Sequence, residues 1–366
     1  MVQWAAKTAE AREAAYLSAL RGYYHPVATF AELEAVGTDE HGMERVLGKE
    51  LLGERIVIAR LDGEVVALHG TCPHRGVALE RGWVNADCSA VVCRYHGFEW
   101  GASGRLKRIP ALDAEGKATP TGEVWRVGRF PTVVKYGLIW VCLDPEPRFP
   151  VLDAAPEHDP SYVALPIAEQ VWQAGCGRIA EAFLDTYHFA FTHWGSLGDP
   201  SRPEAPRATV TTSERGFAMV YESRQPNSRA VTYGAVEAAA SNGPVNGAVE
   251  EPEFLVSRYE GWALPNAVYL LKTTGKIRFG ILAAICPLGP TRSKLYRLLY
   301  ADRDWSVDHA ELFENQNRIN AEDQQIVETA RPWELATDLD AELQTYMDRP
   351  TVSFRKWLAA MGIEFM

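Results

Sequence analysis

Two short stretches of this sequence each bring one cysteine and one histidine together. They are Cys72–His74, with the pattern C-x-H, and Cys93–His96, with the pattern C-x-x-H, and eighteen residues separate them. A zinc finger usually groups like ligands, two Cys and then two His, whereas each stretch here holds one of each. This suits a two-iron cluster in which one iron binds both sulfurs and the other binds both nitrogens. A structural zinc site is the alternative.

A second group of candidate ligands lies on one later segment. Asp185, His188 and His193 follow the pattern D-x-x-H-x-x-x-x-H, and two His with one carboxylate form a facial triad that leaves open positions on a non-haem iron. Residues five apart on an ideal α-helix point about 140° apart. We therefore predict a π-turn or a break between His188 and His193. Without a metal, these side chains would be surface groups or hydrogen-bonded polar groups of the core.

The elements around the first group are predicted to be mostly β, over residues 22–145. Glu54–Arg60 and Val65–Leu68 are apolar runs joined through Asp62-Gly63, a hairpin signal. Residues 144–160 hold five prolines, which indicates a stiff linker. The last predicted strands of this half end shortly before that linker.

The second half has a different pattern. Residues 178–193, 308–329 and 338–360 are predicted to be helical, residues 254–302 are a run of strands, and residues 225–252 are predicted to be a mobile loop. The fold class is therefore α+β: an N-terminal all-β domain, then a C-terminal antiparallel sheet packed by helices, similar to a helix-grip fold. The predicted divisions are an N-terminal helix at 1–21, a cluster domain at 22–148 and a catalytic domain at 149–366.

Composition excludes several classes of protein. The chain has 366 residues, 47% hydrophobic content and a formal net charge of −11, so a nucleic-acid role is not expected. No apolar run approaches the roughly 20 residues of a membrane span, and the first 21 residues have no signal-peptide core, so we expect a cytoplasmic protein. The cysteines outside the ligand pairs are expected to be reduced and structural: Cys88, Cys142, Cys176 and Cys286.

The two ligand groups together resemble the Rieske non-haem iron oxygenases, and specifically the phthalate dioxygenase type built from α subunits alone. The resemblance covers almost the whole chain. Besides the cluster ligands and the D-x-x-H-x-x-x-x-H motif, it rests on three further stretches: Gly195–Pro200, Glu322–Glu328 and Asp338–Trp357.

This resemblance implies a Rieske [2Fe–2S] cluster held by Cys72, His74, Cys93 and His96, and a mononuclear Fe(II). It also implies His188 and His193 as iron ligands, with a downstream carboxylate as the third. Asp323 fits that position, with its neighbour Glu322 as the rival. Two further acidic residues fit it less well: Asp308 and Glu311.

Asp185 has a different role in such proteins. The resemblance implies that it is not a ligand but joins His188 to His96 of the partner subunit, so that electrons cross between subunits of a homotrimer. A metal-bound His commonly donates its second N–H to a carboxylate, which fixes its tautomer.

The expected function is therefore that of a terminal oxygenase. A reductase or ferredoxin would supply electrons, and O₂ would be used to hydroxylate or demethylate a small aromatic substrate. A cis-dihydroxylating ring dioxygenase is one alternative, and an electron-transfer Rieske protein without oxygenase activity is another. The sequence leaves open the substrate, the regiochemistry and the identity of the reductase.

Two weaker patterns complete the sequence. Gly175–Ala180 matches the dinucleotide fingerprint G-x-G-x-x-A, but no second strand with an acidic end follows it, so we favour a strand-to-helix turn. Lys272, Lys276 and Arg278 share strand parity, opposite to Phe279 and its alternate neighbours. This basic face is expected to be solvated, with binding of a substrate carboxylate as the alternative.

Overall fold

The structure is a computed structural model, and it describes residues 9–154, 156, 159–226, 254–303 and 308–364. Apart from its first two residues, the loop predicted at 225–252 lies outside this part of the chain. The chain forms two compact units: Leu20–Val151, and Leu152–Met366 together with the residues up to Ala19. The α-helices of the described residues are α1 (Ala9–Leu20), α2 (Phe30–Glu34), α3 (Pro110–Ala114), α4 (Cys176–Leu184), α5 (Phe189–Thr192), α6 (His309–Val327) and α7 (Arg349–Ala360).

None of these helices is long and apolar enough to cross a bilayer.

The first unit is built from strands, in three antiparallel sheets of order β1-β11-β10, β2-β3-β4-β9 and β5-β6-β7-β8. The strands are β1 (His25–Thr29), β2 (Leu47–Leu51), β3 (Glu54–Leu61), β4 (Glu64–His69), β5 (Trp83–Val84), β6 (Ala90–Val92), β7 (Glu99–Gly101), β8 (Leu106–Arg108), β9 (Arg129–Phe130), β10 (Thr132–Lys135) and β11 (Leu138–Val141).

Turn chemistry positions the strands of the first unit. Asp62 and Gly63, between β3 and β4, have φ values of +51° and +83°, as the favoured two-residue hairpin turns require. The two candidate cluster loops follow β4 and join β6 to β7. Both candidate cysteines belong to the apolar core of the unit, with side chains such as Val57, Leu79 and Trp100.

The second unit contains one eight-stranded antiparallel sheet, of order β12-β19-β18-β17-β16-β15-β14, with β13 also paired to β19. This sheet and its helices confirm the predicted α+β fold class. Its strands are β12 (Tyr162–Ala164), β13 (Ala168–Trp172), β14 (Thr209–Ser213), β15 (Gly216–Pro226), β16 (Phe254–Leu264), β17 (Ala267–Thr274), β18 (Ile277–Gly289) and β19 (Arg292–Asp302).

Two helix predictions were too long. Residues 338–360 form two short 3₁₀ turns before α7 begins at Arg349. Residues 178–193 are divided, because α4 ends at Leu184. Asp185 takes an extended conformation, with ψ of 128°, and its Oδ1 accepts from the N–H of Tyr187 at 2.6 Å. An aspartate that hydrogen-bonds the backbone two residues on competes with helix continuation.

The predicted interruption between His188 and His193 was therefore wrong in its position. The helix breaks before His188, and the residues between the two His form the single α-turn α5. Gly175, in the dinucleotide-like motif, caps α4 directly after β13. Because β13 runs antiparallel to β19, the motif does not belong to a parallel βαβ unit of the Rossmann type.

Candidate functional site

The two loops of the candidate cluster site have the same backbone fold. In each, the cysteine N–H donates to the carbonyl five residues on at 2.9 Å. The cysteine carbonyl accepts from a glycine N–H four residues on, at 2.9 Å for Cys72 and 2.8 Å for Cys93. These glycines, Gly76 and Gly97, have φ of +70° and +72°, a region that favours glycine. The chain therefore presents two equivalent turns, each carrying one sulfur and one imidazole.

The four candidate ligands differ in burial. Cys72 and Cys93 are 1% and 2% exposed, while His74 is half-buried and His96 is exposed. The two imidazole ring centroids are 4.7 Å apart. The structure thus brings all four predicted residues together, with the sulfurs inside the unit and the imidazoles toward its surface.

The surroundings of the cysteines fit an iron–sulfur cluster. The thiol of Cys72 hydrogen-bonds the sulfur of Cys93, which lowers the pKa of Cys93. The buried indole N–H of Trp100 has no hydrogen-bond partner in the described residues and lies against the Cys72 sulfur. Donors aimed at cluster sulfurs are one way in which proteins set cluster potential, so this donor suits a cluster with sulfur acceptors.

The candidate iron ligands meet in the second unit, although they are far apart in the sequence. His188 and His193 flank α5, and Asp323 lies on α6. Nε2 of His188 is 3.2 Å from Nε2 of His193. Oδ1 of Asp323 is 3.4 Å from the first of these nitrogens and 3.0 Å from the second.

This triangle of donor atoms fits one face of an octahedron. Donors at neighbouring corners are about 3.0 Å apart when the metal–ligand bonds are about 2.1 Å. Two His and one carboxylate on one face is the donor set of the non-haem iron triad. His188, His193 and Asp323 therefore could hold a mononuclear iron and leave the opposite face open.

The outer nitrogen of each histidine faces a carboxylate. Nδ1 of His193 hydrogen-bonds Oε2 of Glu322 at 2.7 Å, whereas Nδ1 of His188 lies 3.8 Å from Oδ1 of Asp185. Glu322, the rival candidate for the third ligand, thus lies where it can accept the Nδ1 proton. That proton position leaves Nε2 of His193 as the donor for a metal.

The charges at this site attract a cation. Burial raises the pKa of Asp323, but hydrogen bonds from His188 and His193 outweigh it and hold the value at about 2. Burial lowers the pKa of His188, and the carboxylates of Asp185 and Asp323 outweigh it and raise the value to about 10. The carboxylates around the triad therefore stabilise a positive charge at this site. A divalent metal would be stabilised by the same negative charges.

The remaining sequence candidates are placed elsewhere. The side chain of Asp308 caps α6 and accepts from the N–H groups of Ala310 and Glu311. Glu311 lies on the exposed first turn of the same helix. Because α6 begins there, the two acidic residues are about four and about three turns from Asp323, respectively.

The triangle opens on a cavity with mostly apolar walls. His188, His193 and Asp323 form one side of it, and strands β16 to β19 form the opposite side. Its apolar and aromatic lining includes Phe189, Leu197, Tyr259, Leu270, Phe279, Ile281 and Ile319.

Family models match both units of the chain. Residues 32–131 match the Rieske [2Fe–2S] domain, and residues 172–363, more than half of the chain, match the vanillate O-demethylase oxygenase C-terminal domain. The chain is a Rieske oxygenase α subunit. It carries a Rieske cluster and a mononuclear iron, and it is a terminal oxygenase. Enzymes of this family take electrons from a reductase or ferredoxin and use O₂ on small aromatic substrates.

Individual relatives of the oxygenase cover most of its length. Methylxanthine N1-demethylase NdmA of Pseudomonas putida is 28% identical over 344 residues, which are 93% of this chain and 88% of the relative. The solved structure of NdmA with caffeine, from Pseudomonas putida CBB5, has a TM-score of 0.75 at 25% identity and covers 94% of this chain and 92% of its own. The vanillate O-demethylase oxygenase subunit of Pseudomonas sp. (strain HR199 / DSM 7063) is 28% identical over 47% of each chain.

For one charged residue of the oxygenase's cavity, the environment favoured by the sequence was wrong. Lys272 was expected on a solvated face, but it is 2% exposed and lines the cavity. Strand alternation counted straight through the turn at Gly275 and Lys276 places Lys272 and Phe279 on opposite faces. In the observed hairpin Lys272 pairs directly with Phe279, so the two side chains share one face of the sheet. The two-residue turn signal at Gly275 was the available clue.

Proposed function

We propose that this oxygenase removes a methyl group from nitrogen or oxygen of a small aromatic or heteroaromatic substrate. The observation that carries the proposal is the match to a methylxanthine N1-demethylase over 93% of the chain. The vanillate O-demethylase subunit supports the same reaction type. A cytoplasmic location is part of this proposal.

Ring dihydroxylation is the second candidate. The oxygenase subunit of 3-chlorobenzoate-3,4-dioxygenase from Comamonas testosteroni is 32% identical over 192 residues. That match covers only 50% of this chain, so it supports the second candidate less strongly than the full-length match supports demethylation.

The side chains described above have separable tasks in such a reaction. The iron, when bound, supplies activation of O₂ at open coordination positions. Glu322 holds the proton on Nδ1 of His193 and so keeps Nε2 free for the metal. The apolar strand face positions an aromatic ring beside the triad and excludes water.

The overall reaction balances with the components that the family supplies. One O₂, two electrons and two protons convert a substrate N–CH₃ or O–CH₃ group into N–H or O–H, formaldehyde and water. Oxygen insertion into a methyl C–H bond gives an N- or O-hydroxymethyl group, and its collapse breaks the bond from carbon to the heteroatom. The electrons come from the reductase or ferredoxin.

We further propose that the oxygenase is a homotrimer in which Asp185 joins His188 to His96 of the partner subunit. The carboxylate of Asp185 is 38% exposed, so it can contact a second chain. Large exposed side chains lie close to the proposed contact groups in the sequence. Phe191 is 56% exposed and Trp194 is 75% exposed. Phe and Trp are enriched at protein–protein interfaces relative to the rest of the surface.

The reaction type can be tested with reconstituted enzyme. The oxygenase, a ferredoxin, its reductase and NADH would be given pairs of aromatic substrates with and without N-methyl or O-methyl groups. We expect formaldehyde and the demethylated product, identified by mass, from methylated members only. Gain of two oxygen atoms on the ring, without formaldehyde, would instead establish the dioxygenase reaction.

A further inference from the structure

The cavity of the oxygenase contains a lysine that is buried without a counter-charge. Lys272 lies on β17, in the interior of the eight-stranded sheet, and its whole residue is 2% exposed. It lines the same cavity as His188, His193 and Asp323. Lysines are almost never buried to this extent unless they are paired, so its surroundings are informative.

Two aromatic rings flank this lysine on the neighbouring strands. Tyr259 on β16 and Phe279 on β18 are its direct cross-strand partners. The Lys272 Nζ lies 5.5 Å from the ring centroid of Tyr259 and 5.6 Å from that of Phe279. The rings fix the amino group between them, because an ammonium within about 6 Å of an aromatic ring centroid is attracted to the face of the ring.

These rings do not replace a counter-ion. In the described ranges, Nζ of Lys272 has no carboxylate partner and no hydrogen-bond acceptor. Burial alone lowers the pKa of Lys272 to about 7, and a bound negative charge would raise it again and restore the ammonium form. A buried charge is costly unless it is paired, so an apolar side chain at this position would give a more stable fold. Proteins typically accept such a loss of folding stability at functional sites, so an unpaired lysine buried in a cavity indicates a ligand-binding role.

Two other polar side chains that line the cavity, Arg297 and Asn320, are held by hydrogen bonds within the protein, although Nε of Arg297 is buried without a partner in the described residues. Arg297 donates to the carbonyl of Gln316 and to the side chain of Asn317. Asn320 donates to the side chain of Gln170. The Nε2 atoms of His188 and His193 both face the carboxylate of Asp323. Lys272 therefore differs from Arg297 and Asn320 in that none of its donor hydrogens is matched within the described residues.

We propose that Lys272 binds an anionic oxygen of the substrate, carried by the same aromatic ring that occupies the apolar part of the cavity. The proposal rests on the proposed function in one respect, that this cavity is the substrate site. A carboxylate and an ionised ring hydroxyl share the required chemistry, since each accepts a charge-assisted hydrogen bond from the ammonium group. Leu270 and Ile281, beside this position on the same face, would contact the ring.

The test uses paired probes that differ only in charge at one group. Binding of benzoate and benzamide, and of 4-nitrophenolate and 4-nitroanisole, would be measured by calorimetry with the metal-loaded oxygenase at pH 7.5. The variants are Lys272→Met, Lys272→Gln and, as a matched control, Lys276→Met. Lys276 lies at the exposed turn of the same hairpin and loses the same charge when substituted.

We expect the wild type to bind the anion of at least one pair at least tenfold more tightly than its neutral partner. Lys272→Met should weaken that anion by roughly 30-fold or more, the range seen when one partner of a buried charge pair is removed. Binding of the neutral probe should change little. Lys272→Gln keeps a donor without charge and should also lose the preference, whereas Lys276→Met should retain it. The carboxylate and phenolate pairs show which anion is recognised.

A stability measurement accompanies the binding data. Lys272→Met should have a melting temperature equal to or above that of the wild type, because it replaces a buried amine that has no counter-charge with an apolar side chain. A fall in the melting temperature of both Lys272 variants would show a structural role and overturn the proposal. So would an absence of anion preference in both wild-type pairs, or a preference that survives Lys272→Met, as expected for an anion bound directly to iron.

Failure of this inference can be told from failure of the proposed function. Formaldehyde release from a neutral methylated substrate, with no anion preference, would overturn the role of Lys272 and leave demethylation intact. Conversely, anion binding that depends on Lys272, without formaldehyde from any methylated substrate, would retain the recognition site and exclude demethylation.

Discussion

The two metal centres of the oxygenase are built in different ways. The cluster loops supply four ligands from Cys72–His96, and backbone hydrogen bonds within each loop shape both turns. The iron triad combines a short turn at His188–His193 with Asp323 on a distant helix. Its geometry therefore depends on the packing of α5 against α6, whereas each cluster loop depends mainly on its own turn.

This difference has a consequence for how each centre is stabilised. A loop that is held by its own backbone hydrogen bonds can keep its ligands in position when distant residues are substituted. In the triad, Glu322 and Asp185 instead face the outer nitrogens of the two histidines, and such partners orient metal ligands. Substitutions should therefore separate the two centres, and the largest effects should come from the ligands themselves.

The largest effect is expected from removing one ligand from each centre. His193→Ala should lose the mononuclear iron and lower turnover by more than about 100-fold, beyond the range of changes outside the ligand set. It should keep the visible absorption of the cluster. Cys93→Ala should lose that absorption and keep the mononuclear iron. Iron analysis of the wild type should give three atoms per subunit, two from the cluster and one from the triad. Loss of both centres in either variant would contradict their independence.

The next largest effect is expected at Asp185, which we propose joins the two centres across a subunit interface. Asp185→Asn is nearly the same size but removes the negative charge that faces His188. It should keep three irons per subunit and nearly abolish turnover, because electrons would no longer pass efficiently from cluster to iron. Stopped-flow absorption should show a cluster that is reduced normally and reoxidised slowly by O₂ with substrate present. A variant that retains most of its activity would contradict the bridging role.

A smaller effect is expected at Glu322, the partner of His193. Glu322→Gln keeps an acceptor oxygen but removes the charge that supports the Nδ1 proton, so iron affinity should fall by roughly 10–100-fold. Iron retention against a chelator would measure it, and the cluster absorption should not change. Glu314→Gln, on the exposed part of the same helix, is the control. Equal iron retention in both variants would show that the 2.7 Å contact does not support the metal.

The same contrast explains what could be predicted from sequence. Cys72–His74 and Cys93–His96 could be recognised because their ligands and turn residues are neighbours in the chain. The Asp62-Gly63 hairpin has the same local character, and its positive φ values agree with the turn signal. The sequence pattern alone could not decide which of Asp323 and Glu322 is the third ligand. Adjacent residues of a helix point in different directions, and only the packing of α6 against α5 determines which of them faces the two histidines.

Two errors have a common physical origin. The helix break was placed after His188 because periodicity was considered without the side chain of Asp185, whose hydrogen bond to the next turn ends α4. Lys272 was placed on a solvated face because parity was counted through a two-residue turn, which reverses the chain and pairs Lys272 with Phe279. In both cases a local change of the backbone, a helix end or a hairpin turn, altered the directions of the side chains that follow it.

The smallest effect is expected at Trp100, where the cluster site meets the core of its unit. The indole N–H is buried against the Cys72 sulfur and has no hydrogen-bond partner in the described residues. A donor near cluster sulfur stabilises the more negative, reduced state and so raises the reduction potential. Trp100→Phe removes the donor and keeps most of the ring, so the cluster should assemble with a potential lower by about 20–60 mV, since a net hydrogen bond is worth about 0.5–1.5 kcal/mol. Trp125→Phe, at a partly buried indole packed against the same apolar core, should leave the potential unchanged. Equal potentials in both variants would mean that the indole only fills space, and that the cluster potential is set by the loop backbone alone.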